Sequence, residues 1–147
     1  MATQPDLLDV NVWLALGVHD HPDHERASRY WRQEASDQLA FCRVTTLGLL
    51  RLLTNAAVMR GQPLTAAQAW QAYGAFRQQP GVALVAEPAG CEALLERWVA
   101  AGQVHPRLWT DAYLAAVARA GEMRLISFDA DFARFEGLTL LHLRASE

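Results

Sequence analysis

Apolar residues in this chain come in short runs, and the runs alternate with longer stretches in which apolar positions recur every three or four residues. The first run, Leu7, Leu8, Val10, Val12, Trp13 and Leu14, has Asp9 and Asn11 set into it. It predicts a buried strand over 6–9 and a helix from 11 to 17. A polar turn over 19–24 leads to Pro22, which favours a helix start, and Ala27, Tyr30 and Trp31 give helical spacing over 23–35. Residues 39–44 read as a second strand, and Thr45–Thr46 as the cap of an apolar helix over 47–59 carrying Leu47, Leu50, Leu53 and Ala57. Gly61, Gln62 and Pro63 break the chain before a helix capped by Thr65 and ended by Pro80–Gly81. Then follow a strand over 82–86, a helix over 89–101 and a loop over 102–108. Thr110 is expected to cap a helix that Gly121 stops. A strand over 124–127, a short helix over 129–135 and a last strand over 138–143 complete the pattern. Five apolar strands alternating with helices predict an α/β fold with a parallel five-stranded sheet flanked by helices on both faces.

Length and composition fit that pattern. The 147 residues, 52% of them hydrophobic, suit one packed domain over 1–147 and lie far from disordered composition. No apolar run approaches the roughly 20 residues of a membrane span, so no membrane association is expected. Residues 1–6 hold no Lys or Arg, unlike the start of a secretory leader, and the expectation is a cytoplasmic protein. Cys42 and Cys91 then read as buried thiols. The net charge is −3, and all 13 basic residues are Arg. A strongly basic nucleic-acid face is excluded, and any RNA must be held locally by a few Arg and a cation. The missing Lys also argues against phosphatases of the haloacid-dehalogenase type, which further need an Asp where Asn11 stands, and against receiver domains.

Chemistry then narrows to three carboxylates. Asp9 lies in an apolar run at the predicted C-terminal end of the first strand, where a lone buried charge costs several kcal/mol unless it is partnered. Asp129 follows the fourth predicted strand in the same sense, and Asp111 opens the helix before that strand. Ligands of open α/β sheets sit beyond the C-terminal strand ends. Three acids gathered there repel unless a divalent cation lies between them, and oxygen donors suit Mg²⁺ or Mn²⁺ rather than zinc. Each acid also has an architectural reading: Asp111 favours a helix dipole, Asp129 caps the following turn, and Asp9 accepts backbone amides. His21 and His24 have no third ligand in view and read as surface residues. The Trp and Tyr residues, at helical spacing, read as core. Arg43 and Arg51 flank the second strand and its helix, where either could meet a phosphate or a neighbouring carboxylate.

Four segments resemble the PIN-domain ribonucleases, and within them the VapC-type toxins. They are Leu-Leu-Asp9-Val-Asn11-Val-Trp-Leu-Ala-Leu; Arg43-Val-Thr45-Thr-Leu-Gly-Leu-Leu-Arg51-Leu-Leu-Thr54-Asn55; Trp109-Thr110-Asp111-Ala112-Tyr-Leu-Ala-Ala-Val-Ala; and Leu-Ile-Ser127-Phe-Asp129-Ala-Asp131-Phe-Ala-Arg-Phe. The resemblance spans residues 6–140. It implies that Asp9, Asp111 and Asp129 are the catalytic, Mg²⁺-holding residues, with Asn11 and Ser127 supporting them by hydrogen bonds. It also implies cleavage of single-stranded or looped RNA by metal-activated water, leaving a 3′-hydroxyl and a 5′-phosphate. The implied partners are RNA, a cognate antitoxin and a second copy of the chain in a homodimer. One position departs from the pattern: Gly48 stands where the family usually has a Glu. That departure leaves a second reading, a catalytically impaired PIN-fold module that binds an antitoxin or another partner.

Overall fold

The computed structural model describes residues 4–144, so of the segment 1–6 that argues against a leader, residues 1–3 lie outside the described residues. Five strands, β1 (Asp6–Leu8), β2 (Leu39–Phe41), β3 (Val82–Leu84), β4 (Arg124–Ser127) and β5 (Leu140–His142), form one sheet in the order β3-β2-β1-β4-β5. Every pairing is parallel, with Leu8 beside Ile126 and Leu7 beside Ala40. Successive strand residues point to opposite faces, and the core divides accordingly. Leu7, Ala40 and Leu125 pack with Leu114, Val117 and Trp98 on one face. Leu8, Phe41 and Ile126 pack with Trp13, Leu49 and Tyr73 on the other. The predicted parallel sheet with helices on both faces is what forms.

Six α-helices accompany the strands: α1 (Val10–Gly17), α2 (His24–Arg29), α3 (Arg43–Leu53), α4 (Ala66–Arg77), α5 (Cys91–Ala100) and α6 (Trp109–Ala120). The predicted helix over 23–35 is α2 widened into a π turn, Tyr30–Glu34, closed by the Ala35 amide on the Tyr30 carbonyl at 2.9 Å. A short 3₁₀ turn, Ala130–Arg134, follows β4.

Helices α3 and α6 depart from their expected boundaries. Helix α3 begins at Arg43 and ends at Leu53, where 47–59 was the expected span. Thr45 is not a cap: it lies in the first turn, and its Oγ1 accepts the Cys42 amide at 3.0 Å from inside the helix. At the far end Thr54 Oγ1 donates back to the Leu50 carbonyl at 2.9 Å, and the chain leaves the helix. Helix α6 likewise starts at Trp109 with Leu108 in the cap position, so Thr110 is helical. No helix among the described residues is long and apolar enough to cross a membrane.

The aromatic residues also divide. Trp13 is fully buried and stacks on Phe41 with centroids 3.9 Å apart, and Trp98 is buried. Trp70 and Trp109, expected in the core, are 58% and 55% exposed. Their helices bury other faces, Ala69 and Tyr73 in α4 and Ala112, Ala115 and Ala116 in α6. Both cysteines are buried free thiols.

Candidate functional site

Strand β1 carries an acid at one end and is followed by another at the other, and their surroundings differ. Asp6 is fully buried. Its carboxylate accepts from Arg124 Nε and Nη2, each at 2.8 Å, from the Tyr30 hydroxyl at 2.6 Å and from the Ser36 amide at 3.0 Å. Burial first, and then the bond to Asp6, push the Tyr30 hydroxyl far above its ordinary pKa. This is a completed internal ion pair, and sequence inspection passed over it because an Asp inside a three-residue strand gives no sign of a guanidinium 118 residues away.

Asp9, just past the other end, has no such partner. It is the N-cap of α1 and 9% exposed. Its Oδ1 accepts the Val10 amide at 2.7 Å, and its Oδ2 accepts the Ser127 hydroxyl at 2.7 Å. Desolvation chiefly, with the like charge of Asp111 and Asp129, raises its pKa to about 6 against those two bonds. No cationic side chain is among the groups acting on it.

Ser127, the buried last residue of β4, joins the acids. Its Oγ donates to Asp9 and accepts the Asp129 amide at 2.9 Å. Asn11 Nδ2 donates to the same oxygen at 3.4 Å, and Asn11 Oδ1 accepts the Phe128 amide at 3.4 Å. Asp129 caps the 3₁₀ turn, Oδ1 accepting the Asp131 amide at 2.9 Å. Asp111, in the first turn of α6, is half-buried and has no hydrogen-bond donor among the described residues. Burial raises its pKa, Asp129 and Asp131 add to the rise, and Arg134 opposes it. The architectural and chemical readings of these acids therefore coexist: Asp9 and Asp129 cap their turns, and Asp111 and Asp129 still act on Asp9.

Asp9 and Asp111 line one cavity of about 340 Å³ at the C-terminal edge of the sheet, together with Thr45, Gly48, Arg51 and Thr110. Asp129 is outside that lining but raises the pKa of both. Among the described residues no three His, Cys, Asp or Glu side chains stand close enough to cage an ion as placed. Asp9 directs its oxygens to Val10 and Ser127, and Asp129 directs Oδ1 to Asp131. Asp129 Oδ2 and both Asp111 oxygens remain without donors among the described residues. Gly48 lies in the same wall, with its open side 3.2 Å from Val10 Cγ2.

The histidines serve turns. His24 Nδ1 meets the Ala15 carbonyl at 2.7 Å, and His21 Nδ1 accepts the Asp23 amide at 3.0 Å. A larger hollow of about 540 Å³ beside Trp31 and Phe76 has no carboxylate in its lining.

Comparison with known proteins agrees with this architecture. The PIN domain model matches residues 7–138. Ribonuclease VapC41 of Mycobacterium tuberculosis is 41% identical over 140 residues, covering 91% of this chain and 95% of that protein. Ribonuclease VapC44 of the same organism is 31% identical over 146 residues, 93% of this chain and 96% of its own length. Among solved structures, VapBC-1 from nontypeable Haemophilus influenzae superposes with a TM-score of 0.68 at 17% identity, over 95% of this chain and 98% of that one. Mycobacterium tuberculosis VapC20, described as a sarcin-ricin loop cleaving toxin, gives 0.63 at 21% identity, over 91% and 98%. At these identities the structural likeness establishes the fold.

Proposed function

The chain belongs to the PIN-domain family, and from that premise we propose that it is a Mg²⁺-dependent endoribonuclease, the toxin of a type II toxin–antitoxin pair. The relatives named ribonucleases support RNA as substrate, and the likeness to VapBC structures supports an antitoxin partner. One observation carries the chemistry. Asp111 and Asp129 raise the proton affinity of Asp9 at the sheet edge, Asp129 raises that of Asp111, and no Arg acts on the buried Asp9.

That donor set fits a hard cation. It is all oxygen, it is under-supplied with donors at Asp111 and Asp129, and Arg134 is the one cation acting on Asp9 or Asp111 among the described residues. Asp9, Asp111 and Asp129 would hold Mg²⁺, or Mn²⁺ with the same preference. When bound, the ion polarises the scissile phosphate and lowers the pKa of a water nucleophile. The protein's share is placement. Ser127 donates to Asp9 and so favours the ionised carboxylate, while that bond and the Asn11 bridge to Phe128 tie the start of α1 to the end of β4, and the Asp129 amide on Ser127 holds the turn that follows.

The test is cleavage of single-stranded RNA by the purified chain with Mg²⁺. Activity should vanish on addition of EDTA, return with excess Mg²⁺, and be absent in a folded Asp9→Asn variant. RNA left intact by the native chain at every Mg²⁺ concentration rejects the proposal. Gly48 favours the second reading, an impaired module that binds a partner, because it leaves the cavity wall without a fourth acid. An inactive native chain that Gly48→Glu renders active establishes that reading.

A further inference from the structure

We infer that Arg51 holds a backbone phosphate of single-stranded RNA at the mouth of the acidic cavity, and that Trp109 stacks on a neighbouring base. The inference rests on the ribonuclease reading and adds how the substrate is gripped.

Helix α3 turns one stripe to the cavity, Val44, Leu47, Gly48 and Arg51, at the spacing of a single helix face. Arg43, one position off that stripe, is outside the lining. Arg51 is the one cationic side chain in the described lining, and its residue is exposed. It forms no ion pair among the described residues. It is also absent from the groups that shift Asp9 or Asp111, whose cationic neighbour is Arg134. A guanidinium beside an acidic cavity, yet spent on none of its acids, is free for an anion that arrives with the substrate. Its planar fork matches phosphate oxygens. In a chain of net charge −3, such a local contact has to offset the repulsion between the acids and a polyanion.

Trp109, the first residue of α6, directly precedes Thr110 and Asp111, which both line the cavity, and is itself outside that lining. Its indole is 55% exposed and makes no ring contact among the described residues. Leu47 on the α3 rim is 51% exposed. An open indole one residue from the cavity lining suits single-stranded RNA, because every base offers a π-face on which an aromatic ring can stack.

The experiment is fluorescence anisotropy of a fluorescein-labelled single-stranded RNA decamer with Asp9→Asn protein, titrated from low to moderate salt. Added to that background, Arg51→Ala should weaken binding about tenfold and flatten the dependence of log K on log salt by about 0.7, the value of one single-strand phosphate contact. Arg51→Lys should keep the slope and recover part of the affinity. Trp109→Ala should weaken binding about tenfold at unchanged slope, and Trp109→Phe should retain most of it. Arg43→Ala is the control and should change neither quantity. The inference is overturned if the parent does not bind the decamer, if Arg51→Ala keeps the parent's slope, if Arg43→Ala matches Arg51→Ala, or if Trp109→Ala binds as the parent does. If Asp9→Asn still cleaves the decamer, the proposed metal site fails, while the slopes continue to read the grip.

Discussion

Asp6 and Asp9 are three residues apart, and comparing them shows what environment does to one side-chain type. Both are buried, but Asp6 has a guanidinium and Asp9 has two neutral donors and two acids. The folded protein therefore keeps a proton on Asp9 up to about pH 6, whereas the unfolded chain releases it near 3.8. Between those values the native state binds more protons, so stability of the metal-free protein falls as pH rises through the window and is level above it. The loss from this group is on the order of 3 kcal/mol. Urea unfolding in EDTA at pH 4.5 and 7.5 should show it, and Asp9→Asn should remove the slope and leave the metal-free protein at least as stable at pH 7.5. A variant markedly less stable there would make Asp9 an architectural residue alone. Gly48 is the complementary case. A Cβ there meets Val10 Cγ2 at 3.2 Å, so the half-buried Val10 has to give by only a few tenths of an ångström. Gly48→Glu should therefore fold and place a carboxylate in the cavity wall. Three acids supply −3 against the +4 of two divalent ions, so Mg²⁺ titration of cleavage should show a lower requirement for the Glu variant. Two ions held tightly by the native chain without RNA would contradict the three-acid account.

At the level of elements, β1 and β4 are fastened at both ends by different chemistry. At the N-terminal end Arg124 reaches Asp6, and at the C-terminal end Ser127 reaches Asp9. Arg124→Ala orphans a fully buried carboxylate and should cost roughly 3 kcal/mol, read as a lower urea midpoint, with cleavage below the transition preserved. Ser127→Ala acts on the chemistry instead. It removes a bond that lowers the Asp9 pKa and the acceptor for the Asp129 amide. The acid limb of the cleavage–pH profile should then move to higher pH; an unmoved limb would show that Ser127 does not govern the site. The revised start of α3 has a consequence here too. Beginning the helix at Arg43 sets the angular phase that brings Gly48 and Arg51 into the cavity wall.

For the whole molecule, the acids are a local conflict that the rest of the fold holds in place. They lie on three segments, after β1, at the start of α6 and after β4, and the sheet's two packed faces fix those segments against their repulsion. An ion that binds only the folded state stabilises it by mass action, about 2.7 kcal/mol at a hundredfold excess over Kd. Added Mg²⁺ should raise the melting temperature by several degrees at neutral pH, and Asp9→Asn should abolish the rise. An equal rise in both proteins would place the ion elsewhere.

The short continuous apolar runs through Leu7–Leu8, Ala40–Phe41 and Leu125–Ile126, alternating with helical stretches, determined the sheet, because a strand apolar on both faces is buried as a central parallel strand with helices on either side. The same pattern put Asp9 and Asp129 at C-terminal strand ends, so the candidate acids were legible from their positions in the chain. Helix boundaries at Arg43 and Trp109 were not, because Thr45 and Thr110 fit a cap and a first turn equally well, and packing chose. Nor were the fates of Trp70 and Trp109, since helical spacing says that a face exists and not which neighbour covers it. The Asp6–Arg124 pair, the Ser127 bridge and the unspent charge of Arg51 all join residues distant in sequence. Only tertiary structure decided those, because a charge's partner is set by distance in space.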